Sequence, residues 1–301
     1  MNLQNIAYFL QSAGKTMLNT GFSCPSCGGD RGTEVDRKYG VTFLLRCPKC
    51  QLLYRAPTTG AKDSVAFYQR AYRQGFTTDL PDEDRLRELI QTSFRGSEKD
   101  YSTYLEVLAT LGTRPGERLL DFGCSWGYGS WQLRQAGYEV QAFEISKFRC
   151  DFARTKLGID AVSSLNEVGK DFDVVFSAHV LEHVPVVEDA ITIMLAKLRP
   201  GGLLVAFTPN GSLDRRRCDG VNWHRGWGLV HPQMMDDQYY GSRFAGHHFL
   251  LTASPFDVGN LRQWDGTRQS AFNLEGNELL FAMRTAFATK TSAGHESASA
   301  Q

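Results

Sequence analysis

The chain has 301 residues, 42% hydrophobic and 22% charged, the balance of a soluble protein with a buried core. Lysine plus arginine and aspartate plus glutamate each total 33, so no global field favours nucleic acid or an anionic membrane as partner. No apolar run is long enough for a membrane span, the N-terminus lacks the basic start of a signal peptide, and seven cysteines, an odd number, suggest a reducing cytoplasm.

The first twenty residues, "MNLQNIAYFLQSAGKTMLNT", read as a short helix packed on the body. Two C-x-x-C turns follow, "CPSC" at 24–27 and "CPKC" at 47–50, with nineteen residues between them. Each turn aims two thiolates at one point, and two turns complete a tetrahedron, so Cys24, Cys27, Cys47 and Cys50 are expected to hold a structural zinc. A redox pair would need no second copy at this distance. The alternation in "YGVTFLLRC" predicts a short hairpin between the pairs.

Residues 61–112 read as a helical linker or lid, with apolar residues at helical spacing in "VAFYQRAYRQ", "DEDRLRELIQTSF" and "DYSTYLEVLATLG". The turn "TRPGE" (113–117) opens a new domain. From there strands and helices alternate: "RLLDFG", "GSWQLRQAG", "EVQAFEIS", "KFRCDFARTKLG", "IDAV", "FDVVFSAHV", "VEDAITIMLAKL", a turn at "RPGG" and the strand "LLVAFTP". That order predicts right-handed β-α-β units around a parallel sheet, with ligands beyond the carboxyl ends of the strands. Further on, "ASPFDVGNLRQW" reads as a helix, and "TRQSAFN" and "ELLFAMRT" as closing strands. The boundaries are 1–60 for the cysteine module, 61–112 for the linker, 113–290 for the α/β domain and 291–301 for a polar, disordered tail.

"LLDFGCSWGYGS" (119–130) is a strand running into a glycine-rich turn and a helix, which puts backbone N–H groups beside a ligand. Glu144 ends the next strand, where a carboxylate can accept both hydroxyls of a ribose. The pair predicts a nucleoside cofactor. Ser125 and Tyr128 stand where the dinucleotide fingerprint has its later glycines, which argues against NAD.

"LLDFGCSWGYGS", "AFEIS", "FDVVFSAHVLEHVP" and "LRPGGLLVAFTPN" resemble, in order and spacing, the class I S-adenosylmethionine-dependent methyltransferases over about residues 115–210. With the two C-x-x-C turns and "FYQRAY", the chain is similar to a bacterial subgroup with an N-terminal zinc-binding segment, often linked to sugars, lipid-linked glycans or small metabolites. The resemblance implies a Rossmann-like α/β fold with a seven-stranded sheet and S-adenosylmethionine as cofactor. It implies that Asp121, Gly123 and Gly127 underlie the methionine part, Glu144 holds the ribose, Ile145 covers the adenine, Ser164 and Leu165 border its edge, and Ala178 and His179 flank the sulfonium. Ser125 departs from the family glycine; its hydroxyl is a candidate donor to the cofactor carboxylate, a role that a positive φ would count against.

Methyl transfer from a sulfonium depends mostly on alignment, and a hydroxyl acceptor also needs a proton acceptor. Among the seven histidines, His183 and His231 are the first candidates, with His179 beside the sulfonium. "HVLEH" (179–183) also matches an H-x-x-E-H metalloprotease pattern, which requires a helix, whereas here it follows a strand; a structural reading has Glu182 and His183 capping the next segment. After the fifth strand, "DRRR" (214–217) is either a solvated loop or a phosphate grip. Nearby Trp223, Trp227, Tyr239 and Tyr240 are either core or a stacking platform. Cys124, Cys150 and Cys218 read as ordinary buried thiols. The segment 209–249 is expected to close over the acceptor, a small molecule or glycan, in O- or C-methylation. An RNA base methyltransferase is the second reading and predicts a basic face through Arg31, Arg37, Lys38, Arg46 and Lys49; a non-catalytic nucleotide-binding module is the third.

Overall fold

The structure, a computed structural model, describes residues 3–58 and 79–286. The expected helix "VAFYQRAYRQ" and the tail 291–301 lie outside the described residues. Helix α1 (Leu3–Met17) rests on the cysteine module, where Lys15 Nζ donates to the Thr58 carbonyl and Thr16 Oγ1 to that of Val41, both at 2.9 Å. Strands β1 (Thr33–Lys38) and β2 (Thr42–Arg46) form the expected antiparallel hairpin, and β3 (Leu53–Ala56) pairs with β2. The fourth strand of this sheet comes from far along the chain: β9 (Gln233–Met234) pairs antiparallel with Leu53 and Tyr54.

In the linker, α2 (Glu83–Gln91) starts where the Asp82 carboxylate accepts from Arg85 N, and its buried face is Leu86 and Leu89. Helix α3 (Ser102–Thr110) buries Val107 and Leu108. The larger sheet has strands β4 (Arg118–Phe122), β5 (Glu139–Phe143), β6 (Asp160–Val162), β7 (Phe172–Ala178), β8 (Leu198–Pro209), β10 (Phe249–Ala253), β11 (Ser270–Ala271) and β12 (Glu278–Arg284). Their order is β11-β10-β12-β8-β7-β4-β5-β6. The run from β6 to β8 is parallel, β12 is antiparallel to β8 and β10 antiparallel to β12. The sheet has eight strands where seven are expected; the additional one is β10, which lies between β12 and the edge strand β11. Helices α4 (Tyr128–Gln135), α5 (Lys147–Leu157) and α6 (Val187–Lys197) connect the parallel strands.

Alternation along each strand separates two cores. Leu120, Val175, Leu204, Leu279 and Phe281 face α6 and the cysteine module; Leu119, Val174, Leu203, Val205 and Leu280 face α3 and α4. The sequence reading differs from the structure in two places. "RPGG" is no turn between elements: it lies inside β8, where the pairing with β7 jumps from Phe172↔Leu198 to Val174↔Leu203 and Gly201 takes φ +77°. Strand β10, "FLLTA", is not among the expected strands: its five residues show no alternation, and the expected helix "ASPFDVGNLRQW" begins at its last residue.

The segment after β8 folds into α7 (Leu213–Cys218), α8 (Gly220–Gly226), β9 and α9 (Asp237–Arg243), before β10 and α10 (Val258–Arg262). It is fastened to the module. Asp236 is fully buried, caps α9 by accepting from Tyr239 N, and pairs with Arg46 of β2. His224 Nδ1 and Trp227 Nε1 meet Asp36 of β1 at 2.7 and 2.8 Å. Replacing Asp236 by alanine removes a cap and leaves Arg46 without its carboxylate, so Asp236→Ala is expected to lower stability by about 3–5 kcal/mol. Urea denaturation measures this; a change within experimental error would show that the module and the segment after β8 are not fastened here.

Candidate active site

Strand β4 ends in the glycine turn. Gly123 takes φ +90°, and a Cβ there would lie 2.3 Å from Val180 Cγ2. Gly127 takes φ +89° as the residue before α4, and a Cβ there would lie 2.8 Å from Ala153 Cβ. Both positions therefore need the absence of a side chain. Asp121 is buried and accepts from Ser130 Oγ at 2.5 Å; burial pushes its carboxyl up to about 6. Glu144, just past β5, is also buried and binds the turn: its Oε2 accepts from Ser125 N at 3.0 Å and its Oε1 from Ser146 N at 2.7 Å. Burial raises Glu144 to about 7 against the opposing pull of the Ser146 amide and Arg149. Ser125 has φ +53°, the backbone condition that weighs against a cofactor role for its hydroxyl, and its Oγ accepts from Arg149 at 2.6 Å.

The parallel register brings the other expected residues to the same edge. Phe122, Phe143 and Val162 pair across β4, β5 and β6, so Gly123, Glu144 with half-exposed Ile145, and the turn containing Ser164 and Leu165 leave the sheet side by side. Ala178 ends β7, and His179 follows with φ +55°. The contact between Gly123 and Val180 closes the turn after β4 against the turn after β7.

That second turn carries a cluster. His179 Nε2 is 2.7 Å from Glu278 Oε1, which also accepts from Tyr104 Oη at 2.6 Å. His179 Nδ1 is 3.3 Å from Glu182 Oε1. Burial would lower the His179 pKa, but the Glu182 and Glu278 carboxylates outweigh it and raise the group to about 10. His179 is therefore an imidazolium at neutral pH and no free base. The His183 and His231 rings meet edge to face at 4.6 Å, and burial pushes His183 downwards. Residues 179–183 are turn, not helix, so the metalloprotease pattern fails on its own requirement. The capping reading of Glu182 and His183 fails as well, since α6 begins four residues beyond His183 with no side-chain cap.

A methyltransferase-domain family model matches residues 95–257, more than half of the chain. The chain belongs to that family. Its sheet order and glycine turn are those of the class I, S-adenosylmethionine-dependent members. A ubiquinone biosynthesis O-methyltransferase of Sinorhizobium fredii is 34% identical over 107 residues, 33% of this chain and 43% of that one. A tRNA U34 carboxymethyltransferase of Pseudoalteromonas translucida is 36% identical over 107 residues, 31% and 32% of the two chains. The matched stretch thus spans less than half the length of these relatives. Magnesium protoporphyrin IX methyltransferase of Synechocystis, solved with bound S-adenosylhomocysteine, aligns at TM-score 0.49 and 12% identity, covering 75% of this chain and all of that one.

Elsewhere in this methyltransferase-family chain, sulfur atoms of Cys24, Cys27, Cys47 and Cys50 all lie within 4.8 Å of one another, with Cys24–Cys50 at 3.6 Å and Cys27–Cys47 at 3.5 Å. A tetrahedron with metal–sulfur bonds of about 2.3 Å has edges of about 3.8 Å, so the four donors fit one metal ion. The acceptor groups expected after β8 are otherwise engaged. Arg215 pairs with Asp219, Arg217 with Asp214, and Arg216 lies over Trp223, so "DRRR" is not assembled as a phosphate grip. Trp223, Trp227, Tyr239 and Tyr240 are buried in core rather than exposed as a platform. Of the basic face, Arg31 covers Phe22, Arg37 pairs with Glu34, Lys38 donates to the Trp227 carbonyl and Arg46 pairs with Asp236. Cys124 and Cys150 are buried as expected, but Cys218 is exposed, at the end of the short α7. His247 and His248 are exposed and outside the cluster.

Because Glu144 binds its proton more tightly in the fold than in the unfolded chain, its contribution is fully present below about 4.5 and is lost as pH rises through about 7. The stability difference between wild type and Glu144→Gln is expected to shift by roughly 3 kcal/mol across that window, wild type losing ground at high pH. Denaturation at a series of pH values tests the sign. A parallel pair of curves would contradict the burial of an ionisable group here.

Proposed function

We propose that the chain transfers a methyl group from S-adenosylmethionine to an oxygen or carbon of a small hydroxylated acceptor, a saccharide or comparable metabolite. The observation that carries this reading is the Glu144 carboxylate held beside the glycine turn by Ser125 N and Ser146 N. A carboxylate at the end of the second strand is the group that accepts ribose hydroxyls. Gly123 and Gly127, bare at the turn, leave backbone approach to the methionine portion; Asp121, Ile145, Ser164, Leu165, Ala178 and His179 line the same strand ends in support of the cofactor assignment. The positive charge of His179, held between Glu182 and Glu278, rules it out as the proton acceptor.

The cluster of Glu182, His183 and His231 supports an acceptor bound next to the methyl group, since it follows β7 directly and includes a residue of the segment after β8. Relatives that act as O-methyltransferases favour a hydroxyl acceptor. The neutral charge balance and the internally paired arginines of the module favour a small acceptor over RNA. At the four cysteines we propose zinc in a structural role, because four thiolates close the coordination sphere.

Glu144→Ala is expected to weaken S-adenosylhomocysteine binding by about 1.5–3 kcal/mol, the range of hydrogen bonds to a charged group. Calorimetry on variant protein with a native near-ultraviolet dichroism spectrum measures it, and wild-type affinity would remove the ribose assignment. Cys47→Ser is expected to lose the zinc and local folding of the module, because structural zinc supplies folding free energy. Metal analysis of freshly purified wild-type chain should find one zinc in the four-thiolate site; its absence would rule the metal out.

A further inference from the structure

Glu182 is 1% exposed, and neither of its carboxylate oxygens has a hydrogen-bond donor among the described residues. Leaving a buried carboxylate without donors costs several kcal/mol in general, so a group of this kind points to an occupant. The nearest nitrogens are His179 Nδ1 at 3.3 Å and His183 Nε2 at 3.8 Å. His179 Nδ1 forms an ion pair with Oε1 but no hydrogen bond, its Nε2 being turned to Glu278 at 2.7 Å, and His183 Nε2 is beyond hydrogen-bond distance, so both carboxylate oxygens keep open lone pairs.

Two imidazoles face the same point with their tautomers fixed. His183 Nδ1 lies 2.9 Å from the Val230 carbonyl oxygen, and His231 Nδ1 lies 2.7 Å from that of Gly226. A carbonyl only accepts, so both Nδ1 atoms carry the hydrogen and donate. The lone pair of each neutral ring is then on Nε2. A backbone carbonyl behind one ring nitrogen, with the other ring nitrogen turned to a shared centre, is how metal-ligating histidines are held. One ligand atom from each of Glu182, His183 and His231 lies within 4.8 Å of the other two.

We infer that Glu182, His183 and His231 form a binding site for a divalent first-row transition-metal ion. Two imidazoles and one carboxylate without a thiolate suit ions of zinc, cobalt, iron or manganese better than magnesium or calcium, which prefer all-oxygen sites. Three protein ligands leave at least one coordination position for water or a bound oxygen. The ligands come from two turns, one after β7 and one between α8 and β9, so the ion also fastens the segment after β8 to the strand ends. In this role His183 and His231 are ligands, and neither is the free base that the sequence suggests. The inference goes beyond the proposed methyl transfer and does not depend on it.

The test is titration of the full chain with Co²⁺ while zinc occupies the four cysteines. Zinc holds a four-thiolate site far more tightly than cobalt, so added Co²⁺ reports only a second site. Wild type is expected to bind one further equivalent, with visible absorption bands but without the intense near-ultraviolet thiolate-to-metal band. Glu182→Gln and His231→Ala should each weaken this binding roughly tenfold or more, while His224→Ala, outside the cluster, leaves it unchanged. Thermal melts identify variants that retain the fold, and either of the two ligand variants suffices if the other does not fold. No second equivalent in wild type, or unchanged binding in the folded ligand variants, overturns the site.

Discussion

The outer edge of β3 sets much of this molecule. Its backbone groups need partners, since an open edge in a small sheet is both unsatisfied and prone to pairing with other chains. The partner is β9, two residues of the segment after β8, and the neighbouring Arg55 N donates to the Pro232 carbonyl at 2.8 Å. Gln233, whose backbone closes that sheet, turns its side chain the other way. Its Nε2 donates to the Val184 carbonyl and its Oε1 accepts from Val187 N, at the start of α6. One residue thus couples the cysteine module to the turn after β7. Val230 and His231, just ahead of it, reach His183 for the same reason.

The strand ends collect local choices that stability alone would not select. Asp121, Glu144 and Glu182 are 2%, 3% and 1% exposed, three buried carboxyl groups at the carboxyl ends of β4, β5 and β7. Ser125 and His179 hold left-handed backbone, a strain of about 1–3 kcal/mol for residues other than glycine. Each cost has a local compensation. Glu144 gathers two amide donors, Asp121 a hydroxyl, and His179 two carboxylates. Glu182 has the His179 ion pair but no hydrogen-bond donor among the described residues, which is why it singles out a site instead of a packing solution. Perturbed groups gathered at one edge of a parallel sheet are what a binding centre requires.

The sheet is legible because short apolar-rich strands alternate regularly with helical segments, and the cysteine quartet because its spacing admits few other geometries. Two residues such as Gln233 and Met234 carry no periodicity, so the strand that binds the two sheets together could not be read locally. "FLLTA" is equally too short to show a period, though Gly246 and Ser254-Pro255 flank it. The aromatic residues after β8 are ambiguous in sequence since composition does not distinguish a buried ring from a stacking one; Trp223 and Trp227 are buried against Leu44 of β2 and Leu53 of β3, and Tyr239 and Tyr240 in the core of the large sheet, both tertiary facts. The pairing of Glu182 with His231 joins positions 49 residues apart, a distance at which no motif spacing operates. The candidate residues at the strand ends follow from position along the alternating elements, and the approach of Glu182 to His231 only from the fold.

The apolar core follows the same route as the hydrogen bonds. Phe22, Cys24, Leu45, Cys47 and Tyr54 of the module share one continuous cluster with Leu120, Phe122 and Val175 of the large sheet and with Tyr239 and Tyr240 of α9. Packing at interior density transmits displacement, because a change of even one methylene in such a core is felt by its neighbours. Cys24 and Cys47 belong to this cluster, and so does Leu181, beside Glu182. A module of this kind is not an appendage on a linker. The second cysteine turn leads into β3, β3 pairs with β9, and Gln233 of β9 binds the turn that carries His183, so the cysteine quartet and the strand-end histidines share one chain of contacts.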